Sequence, residues 1–92
     1  MATIEEQQQW RDDYLVALYE ISGRGNLLTW GTHQQIAEAS GIPLDEIMNV
    51  GQLLSAQGVV KFMTMAGLAG SVAITAPGVL RAEKIIQGPG TE

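Results

Sequence analysis

Few residues in this sequence are of the types that carry out chemistry. The single histidine, His33, directly follows Thr32, whose hydroxyl is placed to cap a helix. An imidazole in a first helical turn more often supports the cap or faces solvent than acts as a base. The chain contains no cysteine, which excludes thiol catalysis, disulfides and cysteine-ligated zinc. The sequence therefore predicts no metal site and no cofactor.

The carboxylates and glycines form no catalytic pattern either. Glu5-Glu6 and Asp12-Asp13 are adjacent pairs, and neighbouring residues of a helix point in different directions. The glycine-rich stretch 23–26 lacks the preceding strand that a phosphate-binding loop requires. We therefore predict that the protein is not an enzyme and that its function is binding.

Composition narrows the class of protein further. A chain of 92 residues with 46% hydrophobic residues is typical of one small globular domain. The N-terminal residues are polar and acidic, unlike a signal peptide, which predicts a cytoplasmic protein. The formal net charge of −5 opposes non-specific attraction to the phosphates of nucleic acids.

One uncharged stretch has the length of a membrane span. No charged residue lies between Lys61 and Arg81. The stretch is nevertheless rich in glycine, serine, threonine and proline, and strongly apolar residues are sparse in it. We predict a loop that joins two strands, and no membrane partner.

Residues 32–62 predict two helices joined by a tight turn and followed by a strand. Thr32 and Gln35 fit a capping box at the start of the first helix. Gly41 is the residue type that ends helices in the left-handed conformation, and Pro43 suits the first turn of the next helix. Four apolar residues repeat at helical spacing and predict the buried face of this second helix: Ile47, Val50, Leu53 and Leu54.

The remaining segments complete an ordered series of elements. Apolar residues at helical spacing predict a first helix from residue 4 to about residue 22. A short strand is predicted at 27–30, and a hairpin of two further strands at 59–63 and 71–75. Thr75 is placed to cap a final helix.

This order of helix, strand, helix, helix, strand, loop, strand and helix resembles the winged-helix (winged helix-turn-helix) family. Three segments carry the resemblance, at residues 35–42, 53–60 and 74–78. The second is similar to the family's leucine-bearing helix end followed by glycine and an apolar strand. The third is similar to the leucine-threonine-proline-x-glycine motif that opens the closing helix of many regulators, with proline one position later.

The resemblance implies an α+β, mainly helical fold. It would consist of a three-helix helix-turn-helix core, a small antiparallel β-hairpin wing and a C-terminal helix. A single winged-helix domain would then occupy residues 1–86, with a flexible tail or linker at 87–92.

The resemblance also implies a DNA-binding, transcription-regulator-like domain whose second helix-turn-helix helix enters the major groove. On that helix Asn49 and Gln52 are of the type that reads adenine. Lys61, Arg81 and Lys84 are candidates for further DNA contacts. Bound DNA is disfavoured by charge, because the predicted helix contains no arginine or lysine and carries two carboxylates near its start.

The alternative is a protein-protein interaction or dimerisation module on a winged-helix scaffold that has lost direct DNA binding. The predicted wing, residues 63–71, has no basic residue and offers methionines and a leucine instead. Met65 and Leu68 in the wing and Trp10 on the first helix are the candidate contacts to a protein partner or to a second copy, unless Met65 covers the core.

Overall fold

The longest helix of the molecule is α1 (Ile4–Ile21), as the sequence predicts. The computed structural model describes residues 3–62 and 71–88. The helix begins with a capping box, in which Glu6 N–H donates to Thr3 Oγ1 at 3.0 Å and Thr3 N–H donates to Glu6 Oε1 at 2.9 Å. Further along α1, Tyr14 and Leu18 are fully buried, so this helix forms the centre of the core.

Helix α2 (His33–Ser40) begins and ends where the sequence predicts. Gln35 N–H donates to Thr32 Oγ1 at 3.1 Å, and the Gln35 side chain accepts from Thr32 N–H at 3.0 Å. Gly41 ends the helix with a φ of 79°, a left-handed conformation that glycine adopts without steric cost. Both the capping box and the left-handed end are confirmed.

Helix α3 (Ile47–Ala56) starts later than predicted. Pro43 opens a turn instead of the helix, since the Glu46 N–H donates to the Pro43 carbonyl at 2.9 Å. Leu44 and Asp45 therefore lie exposed in this turn and not on the helix. The prediction of a helix from residue 43 was wrong because the fixed φ of proline suits a turn as well as a helix.

The buried face of α3 is narrower than predicted. Ile47, Val50 and Leu54 are buried, but Leu53 is 51% exposed. Successive residues of a helix are rotated by about 100° around its axis. Leu53 therefore lies to one side of the buried face that Ile47, Val50 and Leu54 form. The prediction that Leu53 faces the core was wrong, and an apolar side chain instead lies on the surface.

Three short strands form an antiparallel sheet in the order β1-β3-β2. They are β1 (Gly31–Thr32), β2 (Val60–Phe62) and β3 (Ser71–Ile74). Gly31 pairs with Val72, and Lys61 pairs with Ala73. The two later strands are confirmed within the described residues, with shorter bounds than predicted.

The strand predicted at residues 27–30 is a turn. The side chain of Asn26 accepts a hydrogen bond from Leu28 N–H at 2.9 Å, and its carbonyl accepts from Thr29 N–H at 3.2 Å. An asparagine that bonds to the backbone two residues onward reverses the chain locally. Leu28 is left 85% exposed, and the strand begins only at Gly31.

Helix α4 (Ala76–Gln87) is fixed at its start to the end of α3. Thr75 Oγ1 accepts from Gly78 N–H at 3.2 Å, as the predicted cap requires, and donates to the Gly58 carbonyl at 2.6 Å. Gly78 packs so closely that a Cβ there would collide with the Val59 carbonyl. A side chain at position 78 would therefore push α4 away from the sheet.

The core joins the four described helices to one face of the sheet, in an α+β and mainly helical architecture. None of the helices in the described residues has the length and apolar character needed to cross a bilayer. The fully buried large apolar side chains are Tyr14, Leu15, Leu18, Ile36, Ile47, Leu54, Val72 and Ile74.

The contact between α1 and α3 is made at Tyr14 and Gly51. A Cβ at Gly51 would lie 2.7 Å from the Tyr14 hydroxyl oxygen and 3.1 Å from Phe62 Cζ. The Tyr14 hydroxyl is buried and has no hydrogen-bond partner in the described part of the chain. Burial raises the pKa of Tyr14 above its ordinary value, because the phenolate would lose its hydration.

Replacing Gly78 with alanine should destabilise the fold by at least about 3 kcal/mol, because the added methyl group meets backbone that cannot rotate away. Gly58→Ala is the matched control. Its added Cβ meets no atom within 4 Å, and its φ of 80° carries a penalty of about 1–2 kcal/mol. Urea unfolding of both variants measures the difference, and equal losses would contradict the close packing of α4.

Replacing Tyr14 with phenylalanine should leave the free energy of unfolding unchanged or raise it by up to about 1 kcal/mol, since it removes a buried hydroxyl that has no partner. As pH rises above about 10, the unfolded tyrosine ionises before the folded one, so wild-type stability should fall more steeply than that of the variant.

Tyr19→Phe provides the matched comparison, because the Tyr19 hydroxyl donates to Glu83 Oε2 at 3.0 Å. This variant should lower the free energy of unfolding at neutral pH. Denaturation curves at pH 7 and above pH 10 measure both effects. A large loss in Tyr14→Phe at pH 7 would show that its hydroxyl has a stabilising role.

Candidate functional site

A groove with a volume of about 410 Å³ runs between α1 and α3 on the surface of the molecule. Its walls come from two helices that are far apart in sequence, so it exists only in the folded chain. The residues that line it are Gln7, Trp10 and Arg11 on α1, and Glu46, Asn49, Val50, Gln52 and Leu53 at the start of and along α3.

The helical repeat places these side chains on the two walls. On α1, Gln7, Trp10 and Arg11 follow one another at i, i+3 and i+4, which is one face of a helix. Trp10 is partly buried and packs against the core, whereas Tyr14, one turn later, is fully buried. At Tyr14 the space between α1 and α3 is therefore filled by the core, and at Trp10 it opens into the groove.

The groove combines an apolar surface with a few polar groups. Trp10, Val50 and Leu53 supply the apolar part, and Leu53 is half exposed. Gln7, Asn49 and Gln52 supply side-chain amides, each with donors and an acceptor. A surface of this kind suits a partner that places an apolar side chain against the tryptophan and forms hydrogen bonds around it.

The groove also contains one cation and one anion, on opposite walls. Arg11 belongs to α1 and Glu46 is the N-cap residue of α3. Within residues 3–62 and 71–88 neither side chain makes a hydrogen bond or an ion pair, and the ion pair in that part of the chain joins Arg24 to Glu20 at 3.8 Å. Neither charge is therefore paired with another side chain of the described residues.

The structure brings together two sets of residues that the sequence assigned to different functions. Asn49 and Gln52, predicted as DNA contacts, are exposed on α3 and line the groove. Trp10, predicted as a contact to a protein partner, lines the same groove from α1. Any ligand of the α3 amides would therefore also meet the tryptophan.

The other predicted DNA contacts do not join this site. Lys61 Nζ lies 5.5 Å from the centre of the Trp30 ring, on the sheet. Arg81 Nη1 donates to Gln57 Oε1 at 2.7 Å, and Lys84 lies exposed further along α4. Met65 and Leu68, the predicted wing contacts, lie outside the described residues.

Sequence reasoning missed five members of the groove. None of the following was predicted as a site residue: Gln7, Arg11, Glu46, Val50 and Leu53. The spacing of Trp10 with its neighbours at i−3 and i+1 could have indicated Gln7 and Arg11. Nothing in the sequence indicated that Leu53 is exposed, because its apolar type and spacing fit a core position.

The described residues contain no group of three or more histidine or acidic side chains that could hold a metal ion. Comparison of the chain with protein-family models, with curated proteins and with solved structures gives no match.

A pair of adjacent leucines tests the placement of the groove. Leu53→Ala should change the free energy of unfolding by less than about 1 kcal/mol, because the side chain is already half exposed. Leu54→Ala, the control, should cost about 2–5 kcal/mol, since Leu54 is 1% exposed. Chemical denaturation of both variants measures the contrast, and similar losses would mean that Leu53 belongs to the core.

Proposed function

We propose that this chain is a winged-helix domain that acts as a protein-protein interaction module, with the groove between α1 and α3 as its binding surface. The observation that carries the proposal is the presence of Asn49 and Gln52 in one groove with Trp10 and Leu53. The proposed role is that of a binding domain and not of an enzyme.

The order of elements supports the winged-helix part of the proposal. Helix α1, strand β1, helices α2 and α3, strands β2 and β3 and helix α4 follow one another along the chain. The strands β2 and β3 pair as the arms of a hairpin, and β1 adds to the free edge of β3. In this arrangement α3 is the second helix of the helix-turn-helix, the position from which such domains contact a ligand.

The chemistry of α3 supports a protein partner. Between residues 43 and 57 the charged residues are Asp45 and Glu46, both acidic. Phosphates would meet repulsion at the start of α3 and no cation along it, whereas DNA affinity depends on neutralising phosphates. Tryptophan and arginine, in contrast, are the residue types most enriched at the energetic centres of protein interfaces, and Trp10 and Arg11 lie in this groove.

The second candidate function is a DNA-binding domain of the transcription-regulator type. It is favoured by the exposure of Asn49 and Gln52, which lie one turn apart on α3. Side-chain amides read adenine in the major groove of DNA. The positive charge that such binding needs would have to come from outside α3, for example from a second subunit or a fused domain.

A DNA titration separates the two candidates. The fluorescence anisotropy of a labelled mixed-sequence duplex should not rise when the protein is added, even at low salt, because α3 offers no cation to the phosphates. A rise at low salt that disappears with added salt and is lost in Asn49→Ala/Gln52→Ala would contradict the proposal. Gln34→Ala, an exposed change on α2, is the control for that variant.

Photocrosslinking tests the protein partner directly. A benzoylphenylalanine residue at position 53 should form crosslinks to protein in cells that contain the domain, because Leu53 lines the groove and is half exposed. The same residue at position 80 is the control, since Leu80 is 68% exposed on α4 and does not line the groove. Equal crosslinking at both positions, or crosslinking to nucleic acid at position 53, would overturn the assignment of the groove.

A further inference from the structure

We propose that the partner of the groove is a second copy of this chain, bound in a two-fold symmetric dimer. The inference rests on the proposed function, because it names the occupant of the same groove. It is carried by the chemistry of the two walls, in which each side-chain type on α1 has a counterpart on α3.

The wall on α1 carries an amide, an aromatic ring and a cation. The wall on α3 carries two amides, two aliphatic side chains and an anion. The members are Gln7, Trp10 and Arg11 on the first wall and Glu46, Asn49, Val50, Gln52 and Leu53 on the second. Each type on one wall has a favourable counterpart on the other: amides pair with amides, aromatic rings pack on aliphatic chains, and arginine binds carboxylate.

A two-fold axis uses this complementarity twice. In a symmetric interface residue i of one copy contacts residue j of the other, and j contacts i. Such an axis brings the α1 wall of each copy against the α3 wall of its partner. Arg11 of each copy then meets Glu46 of the other, so the dimer gains two ion pairs and leaves neither groove charge unmatched.

The state of the single chain is consistent with this assignment. The side chains of Arg11 and Glu46 make no ion pair or hydrogen bond within the described residues, so dimerisation breaks no such bond. Leu53 is 51% exposed, and covering it against Trp10 of the partner would remove apolar surface from water. The exposed Leu80 differs in this respect, since the described residues that line the shallow pocket beside it all belong to α4.

The test is a charge exchange across the proposed interface. Sedimentation equilibrium from about 1 µM to about 500 µM, a range suited to an interface of modest area, should show a monomer-dimer equilibrium. Arg11→Glu and Glu46→Arg should each raise the dissociation constant by at least about tenfold, because each places like charges opposite one another twice. The dissociation constant of the double variant should lie within about threefold of the wild-type value, since the double variant restores both ion pairs with the charges exchanged.

The same variants also separate the effect of the interface from an effect of net charge. Arg11→Glu makes the chain more acidic and Glu46→Arg makes it less acidic, while the double variant has the net charge of the wild type. Arg24→Glu and Glu38→Arg repeat the two single changes on surfaces away from the groove and should leave the dissociation constant unchanged. Circular dichroism spectra check that every variant is folded.

Three results would overturn the inference: a folded monomer at all concentrations, single variants that shift the equilibrium in opposite directions, or a double variant that fails to dimerise. A monomer that still crosslinks to another protein through position 53 would leave the proposed function standing and remove only the dimer. Salt-sensitive DNA binding by the wild type would instead remove the proposed function itself.

Discussion

The close packing of α3 on α1 at Gly51 determines the shape of the site. The Tyr14 hydroxyl oxygen would lie 2.7 Å from a Cβ at that position, so the two helices can approach this closely only where α3 has no side chain. Toward the N-terminus of α1, Trp10, Val50 and Leu53 line a groove between the two helices. The same packing therefore closes the core and leaves the groove open beside it.

The distribution of charge then decides which ligands suit that surface. Two of the three basic residues near the sheet or α4 that the sequence offered for DNA have a local neighbour: Lys61 lies over Trp30, and Arg81 bonds to Gln57. Lys84 lies exposed on α4. The groove itself holds one arginine opposite one glutamate, a balanced pair that attracts neither polyanions nor polycations. Balanced charge around a partly buried tryptophan and a half-exposed leucine favours a protein surface as ligand, and a surface with the same two charges in reverse order is complementary to it.

Local sequence signals predicted the elements of this fold well, and surface geometry poorly. Capping by Thr32 and Thr75 and the left-handed end at Gly41 are determined by the residues themselves, so they could be read directly. The start of α3 could not be predicted, because proline fits both a turn and a first helical turn. The exposure of Leu53 could not be predicted either, because a leucine at helical spacing fits both core and groove. For the site, the sequence predicts Trp10, Asn49 and Gln52 as contact candidates, but their meeting in one groove depends on the tertiary packing of α1 on α3. No local pattern encodes that packing.

The two tryptophans of the chain allow the central claim to be measured without any variant. Each indole N–H gives its own peak in a ¹H–¹⁵N correlation spectrum, and Trp10 lines the groove while Trp30 lies next to Lys61 on the sheet. The spectrum is recorded as protein concentration increases, and then after addition of duplex DNA. If the groove binds a second copy, the Trp10 peak moves with concentration, the Trp30 peak stays in place, and DNA changes neither. A Trp10 peak that is independent of concentration but moves on addition of DNA would contradict the account.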